Sequence, residues 1–302
     1  MSVDPIRQSS SVGAQAPSSA PRITIVTPSF NQERYLERTI NSVIEQGYPN
    51  VEYMVIDGGS RDGSLEIIKR YESHLAYWVS EPDAGQADAI NKGFRMATGD
   101  LIAWQNSDDV YMPNALWRLA SAYASAARHA VYFGNVYLID AHDRILREMR
   151  FQPFDVGHLM FYDWNLSSQA AFVTRDVLES VGYLQNTPVC FDWEWFIRLG
   201  KAGATFRFIR EFLGAYRIHD EAKLNTIRAR GDYKRGVLRQ YGVEYSDEPS
   251  FRKGHACRRA YYRATKLFWH LTQGEWRYAA RGVGAAVSKI RERDRRGGSV
   301  AS

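Results

Sequence analysis

The first 110 residues alternate short apolar runs with segments of helical periodicity, and little else can be built from that order. Ile23–Val26 is a β-branched run, and Val51–Ile56, Tyr77–Ser80 and Leu101–Trp104 are further runs of the same kind. Runs of this length, bounded by turn residues, suit buried strands. Between them Leu36, Ile40, Val43 and Ile44 share one helical face until Gly47 and Pro49 stop it, and Leu65, Ile68 and Tyr71 share another. A third helix is expected over about Gln86 to Ala97. Strand–helix alternation with short turns predicts an α/β fold, a mainly parallel central sheet covered by helices. In such sheets ligands bind beyond the carboxyl ends of the strands. Here the oxygen-rich loops lie at those ends, at Thr27–Asn31, Asp57–Asp62 and Asn106–Asp109, and they predict one composite site. From Val131 onward the runs Val131–Ile139, Ala170–Thr174 and Thr205–Ile209 read as more antiparallel.

Charge divides the 302-residue chain. Residues 251–302 hold thirteen Lys and Arg against three acids, a net of +10, which leaves −5 of the total +5 for residues 1–250. An acidic body with a basic tail reads as a catalytic part joined to something that meets an anionic surface. We expect a flexible tail over 1–21, a catalytic domain over 22–220 and a helical, basic extension over 221–302. Met1 to Ala20 has no apolar core, so it does not read as a signal peptide. Cys190 and Cys257 are too few and too far apart for a disulfide framework or a cysteine zinc site, which suits a reducing cytoplasm.

Asp108 and Asp109 stand where the chain leaves a buried strand. Hard divalent ions such as Mg²⁺ or Mn²⁺ take a few carboxylates together with substrate phosphate oxygens. A metal there can neutralise a departing diphosphate. The plainer alternative is that Asp108 caps a helix starting near Pro113. Asp57, followed by two glycines, could accept the imide N–H of a uracil ring, or simply form its turn.

Four segments together resemble the family-2 glycosyltransferases: TPSFN at 27–31, VIDGGSRDGS at 55–64, AINKG at 89–93 and GDLIAWQNSDD at 99–109. They occur in that family's order and spacing, and the resemblance extends over roughly Ile23 to Asp220. It implies the GT-A nucleotide-binding fold, a divalent metal cofactor and a single displacement that moves a sugar from a nucleoside-diphosphate carrier with inversion. On this resemblance Thr27, Pro28, Phe30 and Asp57 hold the nucleoside, and Asp108 and Asp109 meet ribose, diphosphate and metal. Asn106 stands where the family usually has Asp, which leans the metal site on Asp109. Gly58 replaces the usual second acid beside Asp57, so the nucleobase stays open with UDP as the default. Gln86, Asn91 and Lys92 sit on the helix before the acidic strand, where Lys92 could meet phosphate or simply be solvated.

The second half supplies the acceptor side. FDWEWFIRL at 191–199 resembles the family segment whose Asp is the general base, which assigns Asp192, or else a plain helix cap. Glu194 is the fallback base. His219, in YRIH at 216–219, resembles a family histidine that approaches metal or diphosphate. Ser168, Gln169 and Trp193 are candidates to line the sugar or acceptor pocket. The implied partners are a nucleotide-sugar donor and a saccharide or lipid-linked saccharide acceptor, with no nucleic acid.

In the tail, Tyr261, Tyr262, Phe268, Trp269, Trp276 and Tyr278 interleave with Arg258, Arg259, Arg263, Lys266, Arg277 and Arg281. That pattern suits a peripheral helix on an anionic membrane, at the inner face of the plasma membrane, or a helix packed on the catalytic domain. A sugar nucleotidyltransferase should carry a glycine-rich loop after the first strand, and Thr27–Asn31 has no glycine. A non-catalytic scaffold has no need to combine Asp57, Asp108, Asp109 and Asp192.

Overall fold

β1 (Ile23–Ser29) is buried along its whole length and sits at the middle of the parallel half of the sheet. It pairs in parallel with β2 (Val51–Asp57) on one side and β4 (Leu101–Trp104) on the other, with Ile23 level with both Val51 and Leu101. β3 (Tyr77–Ser80) adds in parallel to β2. The crossovers are the expected helices α1 (Leu36–Ile44), α2 (Ser64–Arg70) and α3 (Gln86–Met96). Leu36, Ile40 and Val43 of α1, Ile67 and Ile68 of α2, and Ile90 and Phe94 of α3 enter one apolar core. Gly93 is needed where α3 crosses β1, because a Cβ there would run into the Val26 side chain. This computed structural model describes residues 20–125, 129–162, 164–188, 190–220, 227–243 and 249–280. Most of the expected N-terminal tail, residues 1–19, and the last basic residues from 281 lie outside the described residues.

The remaining strands are β5 (Val110–Tyr111), β6 (Ala130–Ile139), β7 (Ile145–Met149), β8 (Ala171–Thr174) and β9 (Thr205–Arg217). The sheet runs β3-β2-β1-β4-β8-β6-β9-β5, with β7 beside β6. β8 is antiparallel to both β4 and β6, as its apolar run suggested. β6 and β9, however, are parallel to each other. The reason is the long crossover between them, which contains α5 (Val156–Phe161), α6 (Arg175–Val181) and α7 (Phe191–Lys201). α4 (Ala115–Ala124) precedes β6 and buries Leu116 and Leu119. Where β9 passes the turn before β8, Gly214 has no room for a side chain, since a Cβ would meet the Gln169 carbonyl.

The chain divides into two units between Tyr245 and Ser246. α8 (Ile227–Gln240) belongs to the first and contributes Val237 and Leu238 to its core. α9 (Pro249–Thr272) belongs to the second.

Candidate active site

The turns after β1 and β2 are stitched together before any substrate is considered. Asn31, in the left-handed region at φ 51°, donates its backbone N–H to Ser60 Oγ at 2.8 Å. Its side-chain carbonyl accepts from Arg61 N at 2.9 Å. Asp57 is buried, and its carboxylate accepts from Gly59 N, Ser60 N, Ser60 Oγ and Ser80 Oγ at 2.5–3.1 Å. Asp57 therefore holds the shape of the turn in this structure. Above it, a Cβ on Gly58 would meet the carboxylate of Asp83, so the space of the missing second acid is taken by an acid from the loop after β3. Thr27 is buried against Tyr53 Oη at 3.0 Å and Pro28 is buried beside it, whereas Phe30 is 59% exposed.

At the acidic turn the two adjacent carboxylates face opposite ways. Asp109 is fully buried: Oδ1 accepts from Arg217 N at 2.8 Å, and Oδ2 accepts from Gln169 Nε2 at 2.7 Å and Asn106 Nδ2 at 3.0 Å. Burial, reinforced by the charge of Asp108, pushes its carboxyl well above the usual range despite these three donors. Asp108 points outward, its side chain 23% exposed, and Oδ2 lies 3.0 Å from Nε2 of His219. It does not cap α4, whose cap is Asn114. The structure thus brings Asp108 and His219 together and does not bring Asp109 to the open side, where a metal would sit.

The His219 imidazole is enclosed, its ring centre 4.7 Å from that of Tyr35 and tilted 49° to it, and its Nδ1 is buried without a partner. Among the described residues no three His, Cys, Asp or Glu converge to cage a metal. A carboxylate and an imidazole nitrogen aimed at each other nevertheless fit an ion that draws its other ligands from substrate phosphates and water. Arg217, which the sequence reading passed over, fastens this corner. Its Nε donates to the Asp108 carbonyl at 2.7 Å, and Nη1 pairs with Asp143 at 2.6 Å while fully buried. The signal was present, since Arg217 lies two residues before the histidine that was noticed.

Beside the acidic turn opens a cleft of roughly 950 Å³, part of it continuous with solvent. Gln86 and Asn106 lie on its wall, linked by a hydrogen bond of 2.8 Å, as do Ser168, Gln169, Asp192, Trp193 and Tyr216. Asp192 is the second residue of α7 and Cys190, at φ 57°, is the cap, so the capping alternative does not describe Asp192. Its Oδ1 accepts from Trp193 N at 2.8 Å. Glu194 is turned into the protein and paired with Arg198 at 3.1 Å, away from the cleft. Asn91 also faces inward, exchanging two hydrogen bonds with the Leu184 backbone. Lys92 pairs with Glu81 at 2.5 Å, and that hydrogen bond raises its pKa. Gln169 spends its amide on Asp109 and its carbonyl on Ser167 Oγ, so it positions the acidic turn.

Comparison with known proteins agrees with this architecture. Residues 24–182 match the family described as glycosyl transferase family 2. An uncharacterised glycosyltransferase of Mycobacterium tuberculosis is 44% identical over 60% of this chain and 69% of its own. A Bacillus subtilis protein named for teichuronic acid biosynthesis is 35% identical over 32% of this chain and 39% of its own. Among solved structures, S. aureus TarS in complex with UDP-GlcNAc superposes with a TM-score of 0.61 at 16% identity, covering 80% of this chain and 69% of that one. The mannosyltransferase PcManGT from Pyrobaculum calidifontis, in complex with GDP-Man and Mn²⁺, gives 0.57 at 20% identity over 91% and 77%. Sheet and superpositions together define a GT-A-like fold. The chain belongs to glycosyltransferase family 2.

Proposed function

We propose that the protein transfers one sugar from a nucleoside-diphosphate sugar to a hydroxyl of a growing polysaccharide or glycolipid, with inversion at the anomeric carbon. The observation that carries this reading is the outward-facing pair Asp108–His219 beside a cleft that contains Asp192. Asp108 and His219 are the residues that would hold Mn²⁺ or Mg²⁺. Such an ion supplies neutralisation of the charge on a departing diphosphate. Asp192 takes the proton of the acceptor hydroxyl as its oxygen bonds to the anomeric carbon. The bond from that carbon to the diphosphate breaks on the opposite face, and the diphosphate leaves as an anion. One base suffices, in contrast to the two carboxylates of glycoside hydrolysis. Phe30 and the Asp57 turn are the proposed nucleoside end. UDP is the default carrier, and the GDP-mannose complex of PcManGT makes GDP the alternative to test. Calorimetry with UDP-, GDP- and dTDP-sugars in the presence of Mn²⁺ should give one preferred carrier, whose sugar is then released to an acceptor. Binding to none of the three overturns the reading.

A second reading concerns α9. Tyr261, Ala264, Phe268 and Leu271 follow one another at spacings of three and four, and all are exposed, Phe268 by 69%. Arg259, Arg263 and Lys266 fall on the opposite face. Among the described residues no helix is long and apolar enough to cross a membrane. We read α9 as an interfacial helix on an anionic, cytoplasm-facing leaflet. The full-length protein should sediment with anionic vesicles at low salt and be released as salt screens the attraction. No sedimentation at low salt removes this reading and leaves α9 a structural helix.

A further inference from the structure

We propose that Lys234 reads a negative charge on the acceptor, so that the acceptor class is a saccharide carrying a carboxylate or phosphate near its accepting hydroxyl. This rests on the glycosyl-transfer reading. Lys234 lies on α8, within the stretch expected from sequence to be a helical, basic extension. Val237 and Leu238, three and four residues later, are buried in the core. Residues at that spacing share a helix face, so the face that anchors α8 also delivers the ammonium inward.

Lys234 lines the same cleft as Asp192. Its Nζ stands 4.9 Å from the centre of the Trp193 ring, next in sequence to that aspartate. The indole is a fixed platform, buried and held by a hydrogen bond of 3.0 Å from Nε1 to the Leu159 carbonyl. Among the described residues lining the cleft, Asp192 and Lys234 are the two charged side chains. None of the ion pairs among the described residues uses Lys234, in contrast to Lys92, which is satisfied by Glu81. An ammonium over an aromatic face still has donors to offer.

The position within the cleft decides which substrate it meets. Gln86 and Asn106 mark the end that adjoins the acidic turn, where a diphosphate belongs. Lys234 is at Trp193, beside the proposed base. The accepting hydroxyl must lie within hydrogen-bond reach of that base. A cation there addresses the acceptor, and a pairing made in a partly dehydrated, aromatic-walled cleft is stronger than one in bulk water.

The test uses three compounds that share one hexose: methyl glucoside, methyl glucuronide and glucose 6-phosphate. Binding is followed by saturation-transfer NMR and transfer is followed with a neutral donor and Mn²⁺, for the parent, Lys234→Met and Lys234→Arg. The parent should favour at least one anionic compound over the glucoside by about tenfold or more, the scale of a charge-assisted hydrogen bond. Lys234→Met should lose that preference while keeping its binding of the neutral sugar and its melting temperature, since the stem still packs on Trp193. Lys234→Arg should keep it. No anion preference in the parent, or an undiminished preference in Lys234→Met, overturns the proposal. A donor arm compares UDP-glucose with UDP-glucuronate, and a Lys234→Met effect confined to the donors overturns the assignment to the acceptor. Anion binding that depends on Lys234 without transfer from any donor would instead sink the glycosyl-transfer reading and leave the charge-reading site standing.

Discussion

Asp192→Asn is expected to lower sugar transfer by roughly 10² or more, the usual worth of a positioned base, with donor affinity unchanged. A hydroxyl is a poor nucleophile until its proton is being removed, and an amide cannot remove it. The substitution is otherwise mild. Asn keeps the shape and the oxygen that accepts from Trp193 N. The cap of α7 is Cys190, so no capping bond is lost. What disappears is a carboxylate in the first helical turn, worth about 0.3–1 kcal/mol against the helix dipole. Folding should therefore survive nearly intact. Transfer rates at saturating donor and acceptor, measured beside thermal melting, check both halves. Near-parental transfer would remove Asp192 from the mechanism, and the inward pairing of Glu194 with Arg198 means that the search would move to a residue outside α7's first turn.

Asp108→Ala should produce the second large effect, and a different kind. UDP binding in the presence of Mn²⁺ should weaken by more than ~10-fold, since even an outer-shell change costs that much in metal affinity. Without metal the affinity should barely change. Asp109→Ala should behave otherwise although it is the next residue. It strips the acceptor from Arg217 N, Gln169 and Asn106, and buried donors left unsatisfied cost about 1–3 kcal/mol each. Its signature is a lower melting temperature. Nucleotide titrations with and without Mn²⁺, on both variants, separate the two. Equal losses with and without metal for Asp108→Ala would show that Asp108 does not read the ion.

The parallel half of the fold was legible because its information is local. Ile23–Val26 and Val51–Ile56 are unbroken apolar runs, and a strand buried on both faces needs no partner to be recognised. The parallel pairing of β6 with β9 was not legible, because register and direction depend on where a crossover of three helices returns the chain. The acidic turn shows the same limit at the scale of two residues. Asp108 and Asp109 are chemically identical in sequence, and the one that turns inward is held there by donors from Arg217, Gln169 and Asn106. Lys92 and Asn91 looked like donor contacts because they stand in a motif, yet Glu81 and the Leu184 backbone claim them. α8 was obscured by its charge: two apolar residues, Val237 and Leu238, are enough to seat it against the core.

The ties that hold Asp109 also set an order of events during synthesis. Two of its three partners arrive later, Gln169 after 60 residues and Arg217 after 108. At about 5–20 residues per second the chain waits several seconds between making the acidic turn and making the strand that fixes it. In that interval β1, β2 and β4 can already associate, while β6 presents an open edge to whatever is nearby. Contacts of such sequence separation also close slowly. A nascent chain of this protein can therefore own a folded parallel half with an unfixed acidic turn, and the open edge leaves it exposed to aggregation until β9 docks.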